Sequence, residues 1–151
     1  VGSEMCIRDR LTVSVEHVGS TSVQGLWAKP VIDIDVVISD NKLLPFVINK
    51  LENIGYKYEG NLGIEGREAF CYENKPEYML HHLYVCPQNS KELKRHLAFR
   101  DYLRMHHDTV QEYSKVKREG AALYPDNIEG YIQYKNSIVE KIYGKCKILD
   151  Y

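Results

Sequence analysis

Apolar and polar positions alternate first at Ser14 to Val18, which predicts a strand ended by the Gly19-Ser20 turn. Thr21 to Ala28 predicts a short helical connector, stopped by Lys29-Pro30. Val31 to Ile38 is a β-branched run and predicts a second strand, with Asp33 and Asp35 inside it. Side chains alternate across a strand, so the two aspartates project one way and Ile32, Ile34 and Val36 the other. Asp40-Asn41 marks a turn. Leu43 to Ile54 then carries apolar residues at helical spacing, with Pro45 in the first turn, where it is tolerated, and Gly55 as the stop. The pattern next predicts a short strand at Tyr56 to Tyr58. A loop from Glu59 to Glu68 follows, punctuated by Gly60, Gly63 and Gly66 and carrying Arg67. Strands at Ala69 to Glu73 and Tyr78 to Cys86, joined by a turn at Asn74 to Glu77, have hairpin spacing. On the second of these, His82 and Tyr84 share one face, and His81, Leu83 and Val85 share the other.

From Asn89 onward the period is helical. Asn89 with Glu92, Asp108 with Gln111, and Asp126 with Glu129 each read as an N-cap with its capping-box partner. They predict helices running to about His106, Leu123 and Tyr143, the last closed by Gly144. Strands followed by a run of helices predict an α+β fold: a small, mixed, twisted sheet with flanking helices and a C-terminal helical segment. Val1 to Arg10 shows no periodicity and resembles a non-native leader, so the expected domain is a single one over 11–151.

Composition narrows the function classes. A chain of 151 residues is long enough to bury a core of its own. A net charge of −1 and a pI near 6.6 argue against a general nucleic-acid binder, which carries a basic face. The four cysteines, Cys6, Cys71, Cys86 and Cys146, form no zinc spacing and read as reduced thiols. There is no apolar run near ~20 residues and no signal-peptide pattern, so no membrane association and a cytoplasmic location are expected. Twelve tyrosines against three phenylalanines suit walls that are apolar yet offer hydroxyls, in a ligand cleft or in half-buried packing.

The chemistry centres on His17 to Ser39, HVGSTSVQGLWAKPVIDIDVVIS. Two carboxylates side by side on one strand repel unless a cation sits between them, and a divalent ion with hard oxygen ligands is the usual solution. Gly19 permits backbone that a Cβ resists, and Ser20, Thr21 and Ser22 offer hydroxyls and N–H groups to an anion. A plain Ser/Thr cap on a short helix is the alternative for these three. His81 and His82, adjacent on a strand, point to opposite faces and make a poor zinc pair.

A Gly-Ser turn before a short helix and a D-x-D strand resembles the core of the nucleotidyltransferase superfamily. The longer string HVGSTSVQGLWAKPVIDIDVVI, with HHLYV, HLAFRDYLR and the late Tyr-Lys pairs, resembles the GrpB family from roughly Val13 to Tyr143. The chain departs from that pattern at Gln24, where Pro is usual, and at Tyr84, where the pattern commonly reads His-x-His. It keeps both acids of the D-x-D. The resemblance implies a nucleotidyltransferase-like sheet, with Mg²⁺ (or Mn²⁺) held by Asp33 and Asp35. It further implies that Gly19, Ser20, Thr21 and Ser22 meet phosphate. No third carboxylate is evident at the matching place, and His82 is the expected ligand or acid/base there. Arg67, Arg100 and Arg104 are candidate partners for a triphosphate, with Asp101 able to pair with a neighbouring arginine. Lys29, and Lys117 and Lys135 in two Tyr-x-x-x-Lys spacings, are phosphate candidates or else solvated lysines.

The function so implied is nucleotidyl transfer from a nucleoside triphosphate to an unidentified small-molecule acceptor. The alternative is a non-catalytic nucleotide- or phosphometabolite-binding module. A link to coenzyme A metabolism is suggested because GrpB-like domains are sometimes joined to dephospho-CoA kinase. An RNA-modifying transferase is disfavoured by the near-zero charge.

Overall fold

A computed structural model describes residues 11–72 and 80–146. In chain order it holds β1 (Thr12–Val18), a 3-10 turn (Ser20–Ser22), β2 (Ile32–Ile38), a second 3-10 turn (Asn41–Leu43) and α1 (Leu44–Asn53). Then come β3 (Tyr56–Gly60), β4 (Glu68–Tyr72), β5 (His81–Pro87), α2 (Lys91–Met105), α3 (His107–Leu123) and α4 (Ile128–Cys146). This is the α+β order the periodicity predicts. Val1 to Arg10, including Cys6, and the expected turn from Asn74 to Glu77 lie outside the described residues, as do Glu73 and Tyr78.

The chain divides into two compact units: 11–18 with 30–94, and 19–29 with 95–146. The first holds a five-stranded sheet in the order β1-β2-β5-β4-β3. β2 and β5 run parallel, and the other three neighbours pair antiparallel, so the sheet is mixed. One face carries Val36, Ile38, Phe70, Leu83 and Val85, packed against Val47 and Leu51 of α1. Helix α1 has Pro in its first turn as expected, and it ends at Asn53, with Ile54 as its C-cap ahead of Gly55. Ile34, Val36 and Ile38 of β2 face this core, as strand alternation requires.

The second unit is built on α2 from Arg95 onward, α3 and α4, with a core of Val23, Leu26, Tyr102, Leu103, Val110, Tyr113, Ile138 and Ile142. Phe99 stands edge-on to Tyr113 at 5.9 Å between ring centroids. The Gly-Ser connector belongs to this unit: Val23 and Leu26 are in its core, and the Trp27 N–H donates to Ser114 Oγ at 3.0 Å.

Four local expectations are corrected. The connector is a single 3-10 turn rather than a helix over Thr21 to Ala28, because Ser22 donates through both its N–H and its hydroxyl to Gly19 C=O. The cap of α2 is Ser90, not Asn89: Ser90 Oγ accepts from Leu93 N–H at 3.2 Å. Helix α3 starts at His107 with no side-chain cap, so Asp108 lies inside its first turn. Asn127, not Asp126, caps α4 by accepting from Gly130 N–H, and that helix runs through Gly144 to Cys146.

Candidate functional site

In the first unit, register decides which side chains meet. Parallel pairing sets Asp33 opposite His82 and Asp35 opposite Tyr84. Residues opposite one another share a face, so the two aspartates, His82 and Tyr84 all lie on the side away from α1. His82 Nδ1 is 3.1 Å from Asp33 Oδ1. Asp33 keeps 31% of its side-chain surface in solvent, whereas Asp35 is wholly buried. His81 faces the core, where its Nε2 lies 2.8 Å from the Tyr56 hydroxyl, so the two histidines are on opposite faces as expected.

Arg67 joins this face from the glycine-rich loop. Its guanidinium carbon stands 4.2 Å from the Tyr84 ring centroid, and its buried Nε has no hydrogen-bond partner among the described residues. Burial holds the Tyr84 hydroxyl above its usual range; Arg67 opposes this, and Asp33 and Asp35 add to it. Tyr84 is therefore a neutral hydrogen-bond donor at pH 7. Cys86, two residues on, has its thiol pushed far up by burial, which makes it inert.

Ser90 fixes the loop before Arg67. While capping α2 it donates its hydroxyl to Gly66 C=O at 2.8 Å. Gly66 has φ +82°, and a Cβ there would lie 2.8 Å from Ser90 Oγ, so only glycine fits. Ser90→Ala removes both bonds and is expected to cost about 1 kcal/mol through the cap alone. Urea denaturation checks this.

The second unit gathers the cations. Gly19 has φ 73° and ψ −172°, a region open in practice to glycine alone, and it sets up the turn bearing Ser20. Lys117 is buried, donates to Ser20 Oγ at 2.5 Å and lies 5.0 Å from the Tyr113 ring centroid. Tyr131 carries two ammonium groups over its ring, Lys135 Nζ at 4.9 Å and Lys29 Nζ at 5.6 Å from the centroid. Burial, reinforced by Lys29, lowers the pKa of Lys135. Both Tyr-x-x-x-Lys pairs thus form on one helix face, and Lys117 is no solvated lysine.

The arginines of α2 divide. Arg100 Nε donates to Asp101 Oδ1 at 2.9 Å, the neighbour pairing the sequence allows. Arg104 Nε donates to Ser22 C=O at 2.9 Å. Thr21 is half-buried in the connector.

Asp33 and Asp35 offer hard oxygen ligands, the chemistry of Mg²⁺ and Mn²⁺. Among the described residues no group of three or more His, Cys, Asp or Glu side chains is arranged to hold a metal ion. The donor set therefore does not fit an all-protein cage. Asp33 and Asp35 are the side chains that would hold a hard divalent ion bound mainly by water and phosphate oxygens.

Sequence reading missed Glu16, which pairs directly across from Asp35 on β1 and so shares its face. Its signal was the parity of Ser14, Glu16 and Val18, useful only once antiparallel register is known. The bond from Ser90 to Gly66 and the approach of Lys29 to Tyr131 were missed for the same reason: both join residues distant in sequence.

A mixed five-stranded sheet with a Gly-Ser turn and a D-x-D strand defines an α+β protein of nucleotidyltransferase-like architecture. The sequence signature described as GrpB protein matches residues 3–145, and the chain belongs to the GrpB family. It is 34% identical to the UPF0157 protein YqkA of Bacillus subtilis over 85% of its own length and 37% of that protein's. It is 36% identical to a UPF0157 protein of Halalkalibacterium halodurans over 86% of its length and 65% of that protein's. The chain thus spans less than two thirds of these two relatives. The crystal structure of conserved protein GrpB from Enterococcus faecalis matches with a TM-score of 0.82 and 32% identity, over 99% of this chain and 89% of that one. Among the described residues no helix is long and apolar enough to cross a membrane.

Proposed function

We propose that the protein is a Mg²⁺- or Mn²⁺-dependent nucleotidyltransferase, moving a nucleotidyl group from a nucleoside triphosphate to a small-molecule acceptor. The observation that carries this reading is the pairing of Asp33 and Asp35 on one sheet face with His82 hydrogen-bonded to Asp33. Asp33 and Asp35 would hold the divalent ion, which when bound supplies positive charge to the phosphates. His82 takes the acceptor's proton as its oxygen attacks the α-phosphorus and pyrophosphate leaves. Arg67, anchored through Gly66 and Ser90, offsets phosphate charge there, and Lys29, Lys117 and Lys135 of the second unit are by themselves a cation cluster suited to phosphate. In the second unit, Ser20 and Thr21 offer groups to phosphate oxygens on the turn that Gly19 permits, while Ser22 holds that turn through its two bonds to Gly19 C=O.

A second reading, a nucleotide- or phosphometabolite-binding module without turnover, is favoured by the lack of a three-ligand metal group among the described residues. Thermal shift with nucleoside triphosphates, with and without Mg²⁺, beside pyrophosphate release across an acceptor panel, separates the two. Metal-dependent binding with pyrophosphate release supports the transferase, and binding with no release from any acceptor supports the module. No binding of any nucleotide defeats both.

The cost built into the cation cluster makes its own prediction. Burial, and then the neighbouring Lys29, disfavour the charged form of Lys135, a penalty that an anion would relieve. Lys135→Met is expected to leave the unliganded protein at least as stable, by melting temperature, while weakening triphosphate binding by about tenfold or more in calorimetry.

A further inference from the structure

The second unit contains a cavity of about 340 Å³ that no part of the proposed chemistry needs. Its walls come from the connector and from α2 and α3. Val23, Leu103 and Val110, all buried, make an apolar floor. Gln24, Arg104 and His107 line it with polar groups and are exposed. Ser22 C=O holds the Arg104 guanidinium by Nε at 2.9 Å. Among the described residues that is the arginine's one hydrogen bond, so its plane is set while its two terminal amino groups remain available. His107 Nε2 lies 3.3 Å from Gln111 Nε2, which leaves its Nδ1 for a ligand.

We infer that this cavity is a binding site for a small monocarboxylate with a short aliphatic tail. A guanidinium with one edge anchored presents the other as a planar fork, which matches a carboxylate in bidentate geometry. One fixed positive charge balances one negative charge; a phosphate dianion would call for more. The three aliphatic side chains of the floor select an apolar tail, and the volume lies within the range of small-molecule sites. This site stands apart from the nucleotide reading: it needs neither the aspartates nor the lysine cluster, and it survives if that reading fails.

Hexanoate, hexanol and inorganic phosphate serve as probes in an NMR titration of the full chain. Hexanoate is expected to shift the amides of residues 22–24, 103–104 and 107–110 with a Kd on the order of 1 mM. Hexanol, lacking charge, and phosphate, lacking a tail, should each bind at least about tenfold more weakly. Arg104→Gln should weaken hexanoate by about tenfold or more. Gln24→Trp, at an exposed position, should block the cavity without lowering the melting temperature. Hexanoate affinity unchanged in both variants, or shifts confined to other residues, overturns the proposal. So does hexanol binding as tightly as hexanoate, which would mark an apolar hole, or phosphate binding more tightly, which would mark an inorganic-anion site.

Discussion

Replacing His82 by Ala is expected to lower pyrophosphate release by ~10²–10⁴-fold while leaving nucleotide affinity nearly unchanged. The reason is positional. His82 is the residue that parallel register sets opposite Asp33, and its Nδ1 is within hydrogen-bonding distance of that carboxylate. Asp33 orients the imidazole, and the ring is 60% exposed, so its other nitrogen is accessible to an acceptor hydroxyl. A general base acts in the transition state and contributes little to ground-state binding, hence the split between rate and affinity. Pyrophosphate release with Mg²⁺ or Mn²⁺, run beside calorimetry on both proteins, reads the two quantities separately. Turnover that survives the substitution refutes the role assigned to His82. An affinity loss with no turnover in the parent protein moves the balance to the binding module.

Asp33→Asn is expected to abolish the stabilisation that Mg²⁺ confers. An ion that binds only the folded state adds RT ln(1 + [L]/Kd), about 2.7 kcal/mol at a hundredfold excess, or roughly 5–10 °C for a chain of this size. The amide keeps the shape of the carboxylate and still accepts from His82, but it loses the charge that draws the ion. Asp33 and Asp35 share a face, and Glu16 stands across the strand pair from Asp35, so removing one negative charge also relieves repulsion. The variant should therefore melt slightly higher than the parent without metal and show no rise when Mg²⁺ is added. A metal-induced shift of the parent's size in Asp33→Asn would place the ion elsewhere.

The reach of the sequence is clearest where structure is local. Alternation along β2 placed Asp33 and Asp35 on one face and Ile34 and Val36 on the other, because strand geometry leaves no freedom in that assignment. The same holds for His82 and Tyr84 on β5. Helical spacing paired Tyr113 with Lys117 and Tyr131 with Lys135, since residues four apart are neighbours on any α-helix. Pro45 and Gly55 bracketed α1 for reasons of backbone conformation alone. Caps were less legible: several hydroxyl and amide residues near each helix start can accept the bond. Ser90 prevailed over Asn89, and it also meets Gly66 from a loop more than twenty residues earlier.

By itself, then, the sequence determined the α+β element order, the shared face of the two aspartates, the Gly-Ser turn and the family. Each rests on periods and motifs within a few residues. Only the tertiary structure decided strand register, which sets Asp33 against His82 and brings Glu16 across from Asp35. It also decided that the connector joins the helical unit, that Lys117 is buried, and that Lys29 and Lys135 meet over Tyr131. It left a cavity between Val23, Leu103 and Val110. Those outcomes depend on which surfaces close against one another when the two cores form. Such pairings are set by the packing of residues tens of positions apart, and no local pattern encodes them.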